Sequence, residues 1–236
     1  TASRKGRLRT VISNAAAMPQ AMKERLVAQL GPGLLHDTYG STEAGIVSNL
    51  RPADQLRKQQ CVGQPFPCTL IEIRRADGNI CAPDEVGELY SRSPYLFNGY
   101  WGRPEETAET YRDGWVTVGD LARQDAEGHL YIVDRLKDMV MSGGVNIYPR
   151  EVEEVIFRHP EVADVALIGV PDERWGEVLK AFVVRRAGSS LDEAALVAAL
   201  EGQISRMKLP KYVEFIAQIP RNASGKVLKT ALRARG

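Results

Sequence analysis

The chain has 236 residues, of which 44% are hydrophobic and 26% charged, with a formal net charge of +1. That length suits one large or two small domains with a real core, and the composition is that of an ordinary globular protein. The balance excludes a global field for nucleic acid, and no apolar run approaches the roughly 20 residues of a bilayer-spanning helix.

Thr1–Thr10 carries Arg4, Lys5, Arg7 and Arg9 and leads into no secretory apolar stretch. Leu8–Ser13 predicts a strand. Pro19–Leu30 predicts an amphipathic helix with Met22, Leu26, Val27 and Leu30 on its apolar face, stopped by Gly31-Pro32-Gly33. A second strand, Leu34–Thr38, runs into a polar loop, Tyr39-Gly40-Ser41-Thr42-Glu43. Strand, helix, strand and polar loop form an α/β fragment with ligand groups at a strand's carboxyl end.

From about residue 60 the period changes. Thr69–Arg74 and Val86–Ser91 alternate, with Asp77-Gly78 as a hairpin turn. Trp115–Leu121 and His129–Val133 are further strands, and Pro104–Thr110 is a short helix. Short antiparallel strands over about 75 residues predict a small barrel-like subdomain. The stretch from Tyr131 to Tyr148 then crowds Asp134, Arg135, Lys137 and Asp138 ahead of Gly143-Gly144, and reads as a joint between two bodies.

Beyond it, Pro149 opens a helix (Arg150–Arg158), where its missing N–H costs nothing. Strands Val162–Val170 and Val178–Arg185 follow, then helix Leu191–Met207, strand Tyr212–Ile216 and helix Lys226–Arg233. The fold class is therefore α/β plus α+β. The expected division is 1–136 (an α/β piece, 1–59, and a β-rich piece, 60–136) and a lid, 137–236.

Cys61, Cys68 and Cys81 have no metal-ligand spacing, and their odd number argues for reduced thiols in a cytoplasmic protein. Residues 201–236 hold eight Lys/Arg against Glu201 and Glu214, a local excess of six positive charges that suits an acidic partner or a solvated face.

Four stretches carry chemistry. Hydroxyls and backbone N–H groups of Tyr39–Glu43 suit phosphate oxygens, and one carboxylate suits Mg2+, although the same string also makes a capped loop. Thr117-Val118-Gly119-Asp120, read as the end of a strand, offers a carboxylate for both ribose hydroxyls, or a plain turn aspartate. Pro220–Lys226 presents a mobile cation at the start of the last helix, suited to charge developing on a phosphate or carboxylate oxygen. Asp134-Arg135-Leu136-Lys137 is the fourth.

In this order and approximate spacing the four motifs resemble the adenylate-forming superfamily: acyl-CoA synthetases, firefly luciferases and peptide-synthetase adenylation domains. The resemblance covers essentially the whole chain. It implies that a carboxylate, fatty or aromatic, attacks the α-phosphate of ATP to give an acyl-adenylate, from which a thiol, that of coenzyme A, displaces AMP. It also implies site roles. Thr42 would contact phosphate, Glu43 would hold Mg2+, and Asp120 would bind ribose with Arg135 assisting. Tyr39 and the loop containing Ala16 would flank the adenine or acyl group, with Gly40, Ser41 and Ile132 also lining the ATP/AMP site. Lys226 would bridge carboxylate and phosphate during adenylation, Lys137 would be the hinge of lid rotation, and Gly143 and Gly144 would let a pantetheine arm pass close to backbone; those two glycines also serve a simple turn.

Departures narrow the resemblance. Asn14 and Ala17 replace the residues usual in the adenine loop, and Met141 stands where luciferases and plant coumarate ligases carry a lysine, which favours a bacterial fatty-acyl or aryl CoA ligase. A carrier-protein loader and a non-catalytic binding module are the alternatives, and homo-oligomer formation is left open. The family's lysine-bearing phosphate loop is not in these 236 residues, so the chain reads as the C-terminal portion of a longer enzyme. Alone it is expected to give no ATP–pyrophosphate exchange, and exchange by the purified chain would overturn that expectation.

Overall fold

The computed structural model describes residues 8–235; Arg4, Lys5 and Arg7 of the basic opening lie outside the described residues. Two compact units divide between Leu136 and Lys137.

In the first unit, β1 (Val11–Ser13) pairs in parallel with β2 (Leu35–Ser41), and α1 (Gln20–Leu30) makes the connection. The β1–α1–β2 order follows the sequence, but the face that α1 buries does not. Met22 is exposed and Leu26, Val27 and Leu30 are half-buried, whereas Gln20 and Lys23 are each only 2% exposed. The buried Lys23 ammonium is satisfied twice: it lies 2.6 Å from Asp37 on β2 and donates to the Cys61 carbonyl at 3.0 Å. Gln20 reaches the Gln55 carbonyl, and Gln55 donates to the carbonyls of Leu35 and Leu50. The helix is thus held by paired polar groups, as burial of charge requires.

β2 continues through Tyr39, Gly40 and Ser41 and turns at Thr42–Ala44 into antiparallel β3 (Gly45–Leu50). The expected loop is therefore mostly strand, and β3 is an element that the polar look of the segment concealed. The edge strand β4 (Gln64–Pro65) completes this sheet.

The second sheet of the unit holds β5 (Leu70–Arg74), β6 (Gly87–Arg92), β7 (Tyr111–Arg112), β8 (Trp115–Val116), β9 (Asp120–Gln124) and β10 (Leu130–Arg135), with α2 (Pro104–Thr110) before β7. Its order is β10-β9-β6-β8-β7, with β5 also on β6. Among the described residues no ladder joins its two ends, so it is an open antiparallel sheet and not the expected barrel-like body. Leu89, Val116, Ala122 and Leu130 meet Ala44 and Val47 in one core. The expected strand Trp115–Leu121 is broken at Thr117–Gly119, so Asp120 begins a strand and does not end one. Gly119, at φ +73°, makes that break.

The second unit opens with a short 3-10 turn (Leu136–Asp138 spans its start) and the hairpin β11 (Val140–Ser142) and β12 (Val145–Ile147). Then come α3 (Pro149–Phe157), β13 (Val162–Asp172), β14 (Gly176–Arg185), α4 (Glu193–Leu200), β15 (Tyr212–Phe215) and α5 (Lys229–Arg233). β13 is buried on both faces, which explains its unbroken apolar run. Val165 and Leu167 pack with Val152, Ile156 and Leu196 on one side, while Ala166 and Ile168 pack with Phe182 and Leu232 on the other. Asp192 caps α4 by accepting from the Ala195 N–H at 2.8 Å. The helix stops at Leu200, well short of Met207, because Glu201 turns extended and Gly202 takes φ +79°. The last helix begins at Lys229, leaving Lys226 in the preceding turn.

All three cysteines are free. No helix among the described residues is long and apolar enough to cross a membrane.

Removing one partner of a buried ion pair costs about 3–5 kcal/mol, whereas replacing both with apolar groups is often nearly neutral. Lys23→Ala is expected to destabilise the first unit by about that much, and Lys23→Met with Asp37→Leu to recover most of it. Urea unfolding followed through Trp115 measures both; a loss below about 1 kcal/mol for Lys23→Ala would contradict the assignment.

Candidate active site

Three strand ends of the first unit bring the expected nucleotide residues together. Arg135, the last residue of β10, is registered opposite Asp120, the first residue of β9. Their side chains meet with Nε 3.1 Å from Oδ1. The Tyr39 hydroxyl, at the end of β2, donates to Oδ2 of the same carboxylate. Asp120 is 6% exposed, and each of its oxygens thus has a partner. The flanking loop is tied down, since Thr117 donates to Glu88 at 2.7 Å and accepts from the Gly119 N–H.

Glu43 sits in the β2–β3 turn. Gly40 is required there because a Cβ would lie 2.0 Å from the Gly45 carbonyl oxygen. Ser41 Oγ accepts from the Ala44 N–H at 3.0 Å, closing the turn, and Thr42 is exposed at its tip. The Glu43 carbonyl accepts from the Phe97 N–H at 2.9 Å, and its Oε1 accepts from the Tyr100 hydroxyl at 2.6 Å. Burial pushes the Glu43 carboxyl up, but the Tyr100 hydroxyl, its own backbone N–H, Ser41 and the charge of Arg135 together hold it below its ordinary value. Tyr100 is the residue that sequence reasoning missed. It stands 57 positions from Glu43, and nothing local to Asn98-Gly99-Tyr100 announces the pairing.

Ala16 is half-buried in the loop that leaves β1. Because β1 runs parallel to β2, that loop emerges at the same end as Tyr39, and Thr38 Oγ1 donates to the Ser13 carbonyl there. Ile132 pairs with Ala122 and packs against the core. One carboxylate at Glu43 fits a magnesium ion, which takes one or two carboxylates alongside substrate phosphates. The described residues contain no cluster of three His, Cys, Asp or Glu able to hold a metal by itself.

In the second unit, Lys137 lies in the 3-10 turn and is exposed. Asp138, beside it, pairs with Arg233 of α5 at 2.6 Å. Gly143 and Gly144 form the β11–β12 turn, with φ +56° and +81°. A Cβ on Gly143 would lie 2.7 Å from the Trp175 ring, and the Gly143 N–H donates to the Trp175 carbonyl at 2.8 Å. Next to them is a cavity of about 330 Å3, walled by Ser142, Trp175, Leu179 and Met207 with Arg206 and Lys211 at its edge. The turn before Lys226 is folded around Asn222 Oδ1, which accepts from Ser224 Oγ at 2.8 Å and from the Lys226 N–H at 2.9 Å. Arg221 holds the turn against β13, donating to Asp164 at 2.8 Å and to the Gly225 carbonyl at 2.8 Å.

The basic C-terminal stretch is not a basic patch in space. Among the described residues, at least six of its cations pair inside the unit: Lys208 with Glu151, Lys211 with Asp172, Arg221 with Asp164, Lys229 with Glu153, Arg233 with Asp138 and Arg235 with Glu214.

The cluster places the Asp120 carboxylate at a strand end and Glu43 in the neighbouring turn, and comparison with known proteins gives the family. Residues 1–101 match the AMP-binding enzyme model and residues 151–226 the AMP-binding enzyme C-terminal domain. The chain belongs to the AMP-binding enzyme family, and its relatives are acyl-CoA ligases. It is 44% identical to a feruloyl-CoA synthase of Amycolatopsis sp over 97% of this chain and 46% of the relative. It is 38% identical to a long-chain-fatty-acid–CoA ligase of Bacillus subtilis (strain 168), over 95% of this chain and 40% of the relative. Among solved structures it resembles ATP-bound MatB from Rhodopseudomonas palustris, with a TM-score of 0.89 and 35% identity over 96% of this chain and 45% of that one. The chain spans about half the length of the curated relatives it matches.

Gly143→Ala is expected to push the Trp175 ring aside and cost the second unit about 1–3 kcal/mol. The indole N–H resonance of Trp175 should move; an unshifted resonance with unchanged stability would rule out the close packing.

Proposed function

We propose that this chain serves an acid–CoA ligase, supplying the ribose and metal-side groups of its ATP site and the lid that carries its lysine. The carboxylate of an organic acid attacks the α-phosphorus of ATP. The bond to the β-phosphate oxygen breaks, and acyl-adenylate and pyrophosphate result. The thiolate of coenzyme A then attacks the acyl carbon, and the bond to the AMP oxygen breaks.

The observation that carries this reading is the Asp120 carboxylate, held between Tyr39 and Arg135, with Arg135 also acting on Glu43. Oriented, half-satisfied acceptors of this kind suit the two ribose hydroxyls. Thr42, Gly40 and Ser41 would face phosphate, and Ala16 and Ile132 would flank the nucleotide. Glu43 would hold Mg2+, which supplies neutralisation of phosphate charge when bound. Lys226 would follow the charge that develops between carboxylate and phosphate, a role that needs positioning more than covalent chemistry. Lys137 would be the hinge, where few torsions need to change.

Coenzyme A as acceptor is supported by the cavity beside Gly143 and Gly144, whose lining by Trp175, Leu179 and Met207 suits an aromatic group and whose Arg206 suits a phosphate. The pairing of the basic residues within the lid removes the local positive excess as support for either acidic acceptor, coenzyme A or a carrier protein. Three free cysteines fit a cytoplasmic setting.

The test joins this chain to the N-terminal half of the Amycolatopsis feruloyl-CoA synthase and follows AMP release from ATP with a panel of fatty and aromatic acids. Release should require an acid and coenzyme A; release only with a carrier protein would sink the coenzyme A reading. In that chimera Lys226→Ala should lose adenylation by about 100-fold or more while sparing thioester formation from preformed acyl-adenylate. Equal loss of both half-reactions would refute a one-sided role.

A further inference from the structure

The loop and helix between β6 and β7 carry none of the sequence motifs, yet they grip Glu43 at two points. The Phe97 N–H donates to the Glu43 carbonyl, and the Tyr100 hydroxyl donates to Glu43 Oε1 at 2.6 Å. The segment is itself braced. The Phe97 ring packs edge-on against Tyr100, with centroids 4.9 Å apart, and stacks on Tyr111 at 5.3 Å and 1°. Tyr111 donates its hydroxyl to the Phe97 carbonyl. The Tyr100 N–H donates to Thr107 Oγ1 at 2.9 Å, and Thr107 in turn donates to the Arg103 carbonyl, so α2 fixes the backbone that carries the phenol. Gly99, at φ +132°, packs against Thr107, where a Cβ would meet the methyl group at 3.0 Å.

We infer that Tyr100 is a positioning residue for Glu43, its phenol holding one carboxylate oxygen so that the carboxylate is presented in a fixed orientation to a divalent cation. The inference rests on the proposed reading of Glu43 as the metal-side residue. Its physical basis is general: carboxylates that bind metals are themselves oriented by hydrogen bonds, and loss of the orienting partner weakens the metal about 10–100-fold. The braced aromatic cluster supplies the rigidity that a freely rotating glutamate lacks.

The experiment titrates Mn2+, with ATP present, into the isotopically labelled chain and follows paramagnetic broadening at Thr42, Glu43 and Ala44. Wild type should broaden there, and Glu43→Gln should abolish it. Tyr100→Phe keeps the ring on Phe97 and removes only the O–H; it should require about tenfold more Mn2+ with an unchanged melting temperature. Phe97→Leu, which trims the packing and keeps the O–H, should lower the melting temperature and raise the Mn2+ requirement by less than Tyr100→Phe does. Broadening that survives Glu43→Gln, or none in wild type, would overturn the reading of Glu43 and the inference with it. Broadening lost in Glu43→Gln yet unaltered in Tyr100→Phe would overturn the inference alone.

Discussion

The structure of the first unit turns on one buried carboxylate. Asp120 is almost out of solvent, so its charge has to be met by the protein, and it is met from two directions. Arg135 reaches it along the β9–β10 register, and Tyr39 reaches it from the other sheet. To satisfy this group, the end of β2, the start of β9 and the end of β10 must converge. Glu43 lies four residues beyond Tyr39 and inherits the same place, within the influence of Arg135. The convergence of candidate ligand groups is therefore a by-product of pairing a charge that burial makes costly to leave alone.

The second unit handles charge differently. Its cations are spent on acids contributed by β13, α3, β15 and the 3-10 turn, which flattens the field that a linear count implies. What remains distinctive is local shape: the Gly143-Gly144 turn against Trp175, the neighbouring cavity, and the Asn222-centred turn that leads to Lys226. The Asp138–Arg233 pair ties the residue next to Lys137 to α5, which begins three positions after Lys226.

Much of this was legible in the sequence, and the failures have physical causes. Pro149 marked α3 because proline is at home in the first turn of a helix, and Pro104 occupies the same position in α2. The motif order disclosed the family, which the comparisons show independently. By contrast, Tyr39-Gly40-Ser41 looks like loop because it is polar, yet it is strand because its neighbour β3 supplies the ladder. Periodicity put Met22 inside α1, while tertiary pairing put Lys23 there. The paired cations of the second unit and the Tyr100–Glu43 contact join positions far apart in the chain, and no local pattern encodes such pairings. Reading of the β-rich stretch as a barrel failed because strand count does not determine closure; here the ladder stays open.

The most direct test of a nucleotide site built on Asp120 is chemical-shift mapping of the labelled chain with AMP. Perturbations centred on Tyr39, Asp120 and Arg135, and lost in Asp120→Ala, are the predicted result. Perturbations confined to other parts of the chain, or a map that Asp120→Ala leaves unchanged, would contradict it.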